Sequence, residues 1–148
     1  MSIWDGVEII GQDGKKHNAA EVLKDKVVAL YFSAAWCPPC RAFTPKLKRY
    51  YEALQKTGKN FEIVWVSRDR EAEDLLEYYN DHQGSWYYLE FGSPLIQEWL
   101  AKFEVKTIPA LKVINWEGKV IVNDARSEIA ERGGDEPEDL FEEWCAFL

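Results

Sequence analysis

Val27-Val28-Ala29-Leu30-Tyr31-Phe32, followed by Trp36-Cys37-Pro38-Pro39-Cys40-Arg41, decides how this chain is read. The first stretch is an unbroken apolar run, the pattern of a short strand buried in a sheet. In the second, two cysteines stand three positions apart. One helical turn lays such a pair side by side, so it can close a small disulfide and open it again. From about Pro39 to Thr57 comes a lysine-rich stretch with Phe43, Leu47, Tyr50, Tyr51 and Leu54 at helical spacing, stopped by Gly58. Pro45 is expected to kink that helix. Strand, then C-x-x-C, then helix is the setting for redox chemistry rather than metal binding. Structural zinc takes four Cys or His ligands, and Cys145, His17 and His82 form no second paired motif. Neither a metal nor another cofactor is called for.

A thiolate, not a thiol, attacks a disulfide. Cys37 falls where a helix begins, and the dipole and free N–H groups there favour negative charge. It precedes the turn and should be the more exposed sulfur, hence the nucleophile. Cys40, one turn in, is placed to be buried and to resolve the mixed disulfide. Pro38 and Pro39 suit a first helical turn but remove two amide donors from the neighbourhood of Cys37. The expected result is a Cys37 thiol lowered only moderately from its ordinary value. Cys145 is expected to be a small buried hydrophobe.

Outward from the motif, Val7 to Ile10 reads as a strand that opens an N-terminal hairpin through Gly11-Gln12-Asp13-Gly14. Asn18 caps a short helix. Phe61 to Ser67 is a second core strand. Glu71 to His82 reads as a helix with Leu75, Leu76 and Tyr79 inward. Trp86 to Leu89 is extended, and Leu95 to Phe103 is a helix. Ala110 to Ile114 and Lys119 to Val122 are strands around the turn Asn115-Trp116-Glu117-Gly118. Pro137 to Leu148 is a closing helix with Leu140, Phe141, Trp144, Cys145 and Leu148 inward. This order implies an α/β fold, a mixed sheet with helices on both faces. Cys37 would then lie at the carboxyl end of its strand, where open α/β sheets bind ligands.

The 148 residues are 47% apolar, enough for one domain, 1–148, with a real core. The start, Met1-Ser2-Ile3-Trp4, has neither the basic nor the apolar region of a signal peptide. No stretch has the length of a transmembrane helix. Three cysteines do not make a secreted disulfide framework, so a reducing, cytoplasmic home is the simpler reading, with the nucleus and leaderless export left open. A net charge of −8 argues against nucleic-acid binding. The charge is segregated: residues 41–59 are basic and residues 127–148 acidic. Such runs are ordinarily solvated faces; the alternative is that the basic helix favours the Cys37 thiolate.

The motif, with Tyr31-Phe32-Ser33-Ala34-Ala35 before it and Phe43-Thr44-Pro45 after it, resembles the tryparedoxin and nucleoredoxin branch of the thioredoxin superfamily. Phe61 to Ser67 and Thr107-Ile108-Pro109 extend the resemblance to nearly the whole chain. It implies a thioredoxin fold with an N-terminal β-hairpin extension and a cis peptide bond at Ile108–Pro109 packed against the cysteines. The exposed Ile108 backbone would pair with an extended substrate segment. Trp36 would offer that segment an aromatic wall, and Pro38 would line the same site. Two departures stand out. Thioredoxins carry a buried aspartate where this chain has Tyr31, so the base serving Cys40 is unidentified; Asp69 is a weak candidate. Tryparedoxins carry aromatic and acidic residues, suited to a cationic glutathione–spermidine conjugate, where this chain has Arg68-Asp69-Arg70. Arg126 matches a family arginine near the site.

The resemblance implies a monomeric thiol–disulfide oxidoreductase. It would reduce protein disulfides with electrons from thioredoxin reductase or a glutathione-type thiol. A redox-sensitive binding module of nucleoredoxin type and a dedicated electron donor to a peroxidase are the alternatives.

Overall fold

A computed structural model describes residues 2–148. Its centre is the pair of strands that the apolar runs predict, β3 (Val27–Ser33) and β4 (Phe61–Ser67), parallel and in register from Val27 opposite Phe61 to Ser33 opposite Ser67. Every residue of both strands is buried. The side chains alternate between two cores: Ala29 and Tyr31 with Ile63 and Trp65 on one face, Leu30 and Phe32 with Val64 and Val66 on the other.

Five more strands complete one seven-stranded mixed sheet of order β2-β1-β5-β4-β3-β6-β7. β1 (Glu8–Ile10) and β2 (Lys16–Asn18) form the expected N-terminal hairpin at one edge, joined to β4 through β5 (Tyr87–Tyr88). β6 (Ala110–Ile114) runs antiparallel to β3 and pairs with β7 (Val120–Val122). Their turn closes where Gly118 takes φ +98° and Asn115 accepts the Lys119 N–H at 2.8 Å. The resulting architecture is the mixed sheet with an N-terminal hairpin that the resemblance implies.

Helices cover both faces. α1 (Ala19–Val22), capped by the Asn18 side chain on the Ala20 N–H at 3.0 Å, and α4 (Pro94–Lys102) pack on one. On the other lie α2 (Pro38–Lys56), α3 (Ala72–His82), α5 (Ala125–Arg132) and α6 (Pro137–Cys145). α2 starts one residue earlier than its periodicity implies and ends where Gly58, at φ +73°, lets the Lys59 N–H reach back to the Leu54 carbonyl at 3.0 Å. It runs through Pro45 as one element, because Pro45 lies on the exposed side and only the Arg41 carbonyl loses its helical partner. Among the described residues no helix is long and apolar enough to cross a membrane.

Three expectations are corrected. Leu76 is 45% exposed, and Tyr78 takes the inward place beside Leu75 and Tyr79. Positions 75, 78 and 79 share one helical stripe, whereas 76 is turned about 100° from 75. α6 ends at Cys145, so Leu148 lies outside it and is 62% exposed, and Cys145 is only half-buried. α5 has no counterpart in the sequence reading, because only Ala125 and Ile129 of its eight residues face inward and too little apolar periodicity results.

Candidate active site

The site forms where β3 and β4 end. The Ser33 carbonyl accepts the Arg68 N–H at 3.0 Å and the Trp65 indole N–H at 3.3 Å, which ties the two exits together. The loop 34–37 is then pinned three times. Asp69 Oδ1 accepts the Ala35 N–H at 2.9 Å, Arg41 Nε donates to the Ala35 carbonyl at 2.5 Å, and the Trp36 indole N–H donates to the Arg68 carbonyl at 3.1 Å. Asp69 is held in turn by the Ser67 hydroxyl, which donates to Oδ2 at 2.7 Å and accepts the Asp69 N–H at 3.0 Å. The carboxylate of Asp69 is thus engaged with this loop, and no hydrogen bond joins it to Cys40 among the described residues.

Cys37 is the N-cap of α2. Pro38 and Pro39 fill the first turn, so the Cys40 N–H is the amide left to reach the Cys37 sulfur, which accepts it at 3.3 Å. Cys37 and Cys40 are joined in a disulfide with Cα atoms 5.2 Å apart. Cys37 keeps 4% of its surface and Cys40 none, so the order of exposure is as expected but the margin is small. Ala34 and Ile108 close over the pair. The Ile108–Pro109 bond is cis, and the Ile108 carbonyl oxygen lies 3.7 Å from the Cys37 sulfur. A Cys37 thiol could donate to that oxygen; a thiolate would be repelled by it, leaving the Cys40 amide as its favourable partner. Trp36 is 55% exposed and Pro38 is exposed beside it.

Beneath Cys40, three hydroxyls stand in place of an aspartate. Thr44 donates to the Cys40 carbonyl at 2.9 Å, and the hydroxyls of Tyr31 and Tyr78 each lie 2.7 Å from Thr44 Oγ1. With the threonine proton committed to the carbonyl, both tyrosines donate to Thr44. Burial raises both phenols above their ordinary range, against the opposing Thr44 bond, so they stay protonated donors. The Arg41 guanidinium lies over the Tyr78 ring, 5.1 Å from its centroid. Arg126 sits on α5, exposed, and its charge reaches Tyr31, where it favours the ionised form.

The structure therefore brings Trp36, Cys37, Pro38, Cys40, Arg68, Asp69, Ile108 and Pro109 to one end of the sheet. Arg126 comes near only through its field. Thr44 and Tyr78 are parts that sequence reasoning passed over. The signal of Thr44 was legible, since it is a polar residue on the apolar stripe of α2, in line with Cys40 and Leu47.

A family model described as Thioredoxin-like matches residues 25–120. Probable nucleoredoxin 1 of Arabidopsis thaliana is 37% identical over 127 residues, which is 86% of this chain but only 22% of that relative's length. The tryparedoxin of Trypanosoma brucei brucei is 42% identical over 111 residues, 74% of this chain and 75% of that protein. The crystal structure of a thioredoxin from Wuchereria bancrofti superposes with a TM-score of 0.83 at 40% identity, over 100% of both chains. On these matches the chain belongs to the thioredoxin-like family, alongside its tryparedoxins and nucleoredoxins.

Proposed function

We propose that this chain is a thiol–disulfide oxidoreductase that reduces protein disulfides. The observation that carries the reading is the Cys37–Cys40 pair itself, closed as a disulfide with the Cys37 sulfur capping a helix. In the reduced protein the Cys37 thiolate attacks one sulfur of the substrate disulfide. A Cys37–substrate disulfide forms and the other substrate sulfur leaves as a thiolate, which takes up a proton. Cys40, losing its proton, attacks the Cys37 sulfur. The Cys37–Cys40 bond closes and the second substrate thiol is released. Two electrons pass from the protein to the substrate, and a thiol reductant of the thioredoxin-reductase or glutathione type restores the dithiol.

In this reading Trp36 and Pro38 line the approach to Cys37, and the backbone of Ile108, ahead of Pro109, pairs with the extended substrate segment. Asp69 is a positioning residue for the loop 34–37. The Tyr31–Thr44–Tyr78 hydroxyls position the backbone at Cys40. The chain works as a single domain, as a monomer, in the cytoplasm, where thiols are kept reduced.

Insulin disulfide reduction with dithiothreitol as electron source tests the reading. Wild-type protein is expected to accelerate it and Cys37→Ser to fall to background. A folded wild type without activity would overturn it in favour of a redox-sensitive binding role.

A further inference from the structure

A cleft of about 460 Å³ opens beside Trp36, lined by Arg68, Asp69 and Arg70 from the exit of β4, by Phe91 from the turn before α4 and by Pro94 and Gln97 from its first turn. Its charge is opposite in sign to the net charge of the molecule. The chain carries −8 overall, yet two exposed arginines converge here. The ion pairs of the described residues are made by Lys16, His17, Lys26, Lys59 and Arg132, so neither Arg68 nor Arg70 is neutralised. The one acid in the cleft, Asp69, is 9% exposed, with its oxygens turned to the Ala35 amide and the Ser67 hydroxyl. The accessible surface is therefore cationic. The positive end of α4, capped by Ser93, adds the same sign.

The cleft is also coupled to the chemistry. Trp36 is the chain neighbour of Cys37, and its indole is tied to the Arg68 carbonyl, so the wall of the cleft and the nucleophile belong to one braced loop. Trp36 and Phe91 are 55% and 40% exposed. Two aromatic faces beside two guanidinium groups give apolar contact as well as charge, the composition of a polypeptide-binding surface.

We propose that this cleft receives acidic side chains on the polypeptide segment flanking the disulfide that Cys37 attacks, and that it selects acidic over basic substrates. The inference rests on the reductase reading above. Charge complementarity assigns the occupant: carboxylates are paired by guanidinium groups in forked geometry, and opposite charge raises the encounter rate.

The test uses one peptide disulfide scaffold with Asp, Gln or Lys at the positions flanking a cysteine. The readout is kcat/KM for the charged peptides divided by that for the Gln peptide, so that any change in Cys37 reactivity cancels. In wild type at low salt the Asp peptide is expected to exceed the Gln peptide about 3–10-fold and the Lys peptide to fall below it. The spread should narrow between about 50 mM and about 500 mM salt. Arg68→Gln/Arg70→Gln should flatten the series, and Arg68→Glu/Arg70→Glu should invert it. Equal rates for the three peptides in wild type, or an order that survives charge reversal, would overturn the inference. Failure of wild type to reduce even the Gln peptide would overturn the reductase reading and the inference with it.

Discussion

The two ends of the β3–β4 pair hold the same residue types and use them in opposite ways. At the carboxyl end stand Cys37 and Asp69. Near the amino end stand Cys145, close to Lys59 in the last turn of α6, and Glu62 at the start of β4. Cys37 lies at the positive end of its helix, with an amide N–H on its sulfur. Cys145 lies at the negative end of its own, where burial first and the Glu142 carboxylate second push the thiol up, against a smaller opposing effect of Lys59. Asp69 braces the loop that carries Trp36 and Cys37. Glu62 is buried against the Tyr51 hydroxyl at 2.9 Å and the Ile63 N–H at 3.1 Å, and its one cation, Lys26, is 4.0 Å away. Burial holds its carboxyl above the usual 4.5. Helix polarity and the supply of hydrogen bonds, not residue type, separate the surroundings of the two thiols and of the two carboxyl groups.

The largest effect expected is on turnover. Cys37→Ser should abolish insulin reduction, whereas Cys145→Ser should stay within about twofold of wild type, since it touches no part of the site. Loss of activity in Cys145→Ser would erase the distinction between the ends. Next comes the carboxylate contrast. Asp69→Ala removes a charged acceptor from the Ala35 amide and the Ser67 hydroxyl and should cost about 1.5–3 kcal/mol in urea unfolding. A cost near zero would show that the loop is not braced from there. Thr44→Val takes the near acceptor from the buried Tyr31 and Tyr78 hydroxyls, leaving Tyr31 the Cys40 carbonyl at 3.5 Å, and should cost about 1–3 kcal/mol, measured the same way.

The smallest effect is the pH dependence at the other end. The folded-state pKa of Glu62 is raised, so its contribution to stability is fully present below the unfolded value and is lost as pH rises through the folded one. The stability of wild type relative to Glu62→Gln should therefore increase as pH falls from 7 toward 4.5. A difference that is flat or of opposite slope would remove the strain assigned to Glu62.

How much of this was legible in the sequence follows from how much each element buries. β3 and β4 have the bounds read from the sequence, because strands buried on both faces are apolar at every position but Ser33, Glu62 and Ser67. The turn at 115–118 and the end of α2 at Gly58 were legible from chemistry that few residues can supply. α5 was not, since two inward residues in eight leave no period to detect. The C-terminal turn misled, because Leu148 continues the stripe of α6 in the sequence while the helix itself ends at Cys145. At the site, the motif names both sulfurs, and their order of exposure follows from their places before and within the first turn of α2. The hydrogen bonds of Asp69 to Ala35 and of Tyr78 to Thr44 join residues 34 positions apart, a distance over which local pattern carries no information. For the same reason Asp69 reads in the sequence as a possible base, and only the folded chain reveals it as the clamp on the loop.

The central claim is that Cys37 is the attacking thiolate. Timed alkylation of the fully reduced native protein, mapped by mass spectrometry across pH, tests it most directly. Cys37 is expected to be labelled first, at pH values below those at which an ordinary thiol reacts, Cys145 to lag a free cysteine, and Cys40 to be labelled only after unfolding. Labelling of Cys40 or Cys145 ahead of Cys37 would contradict it.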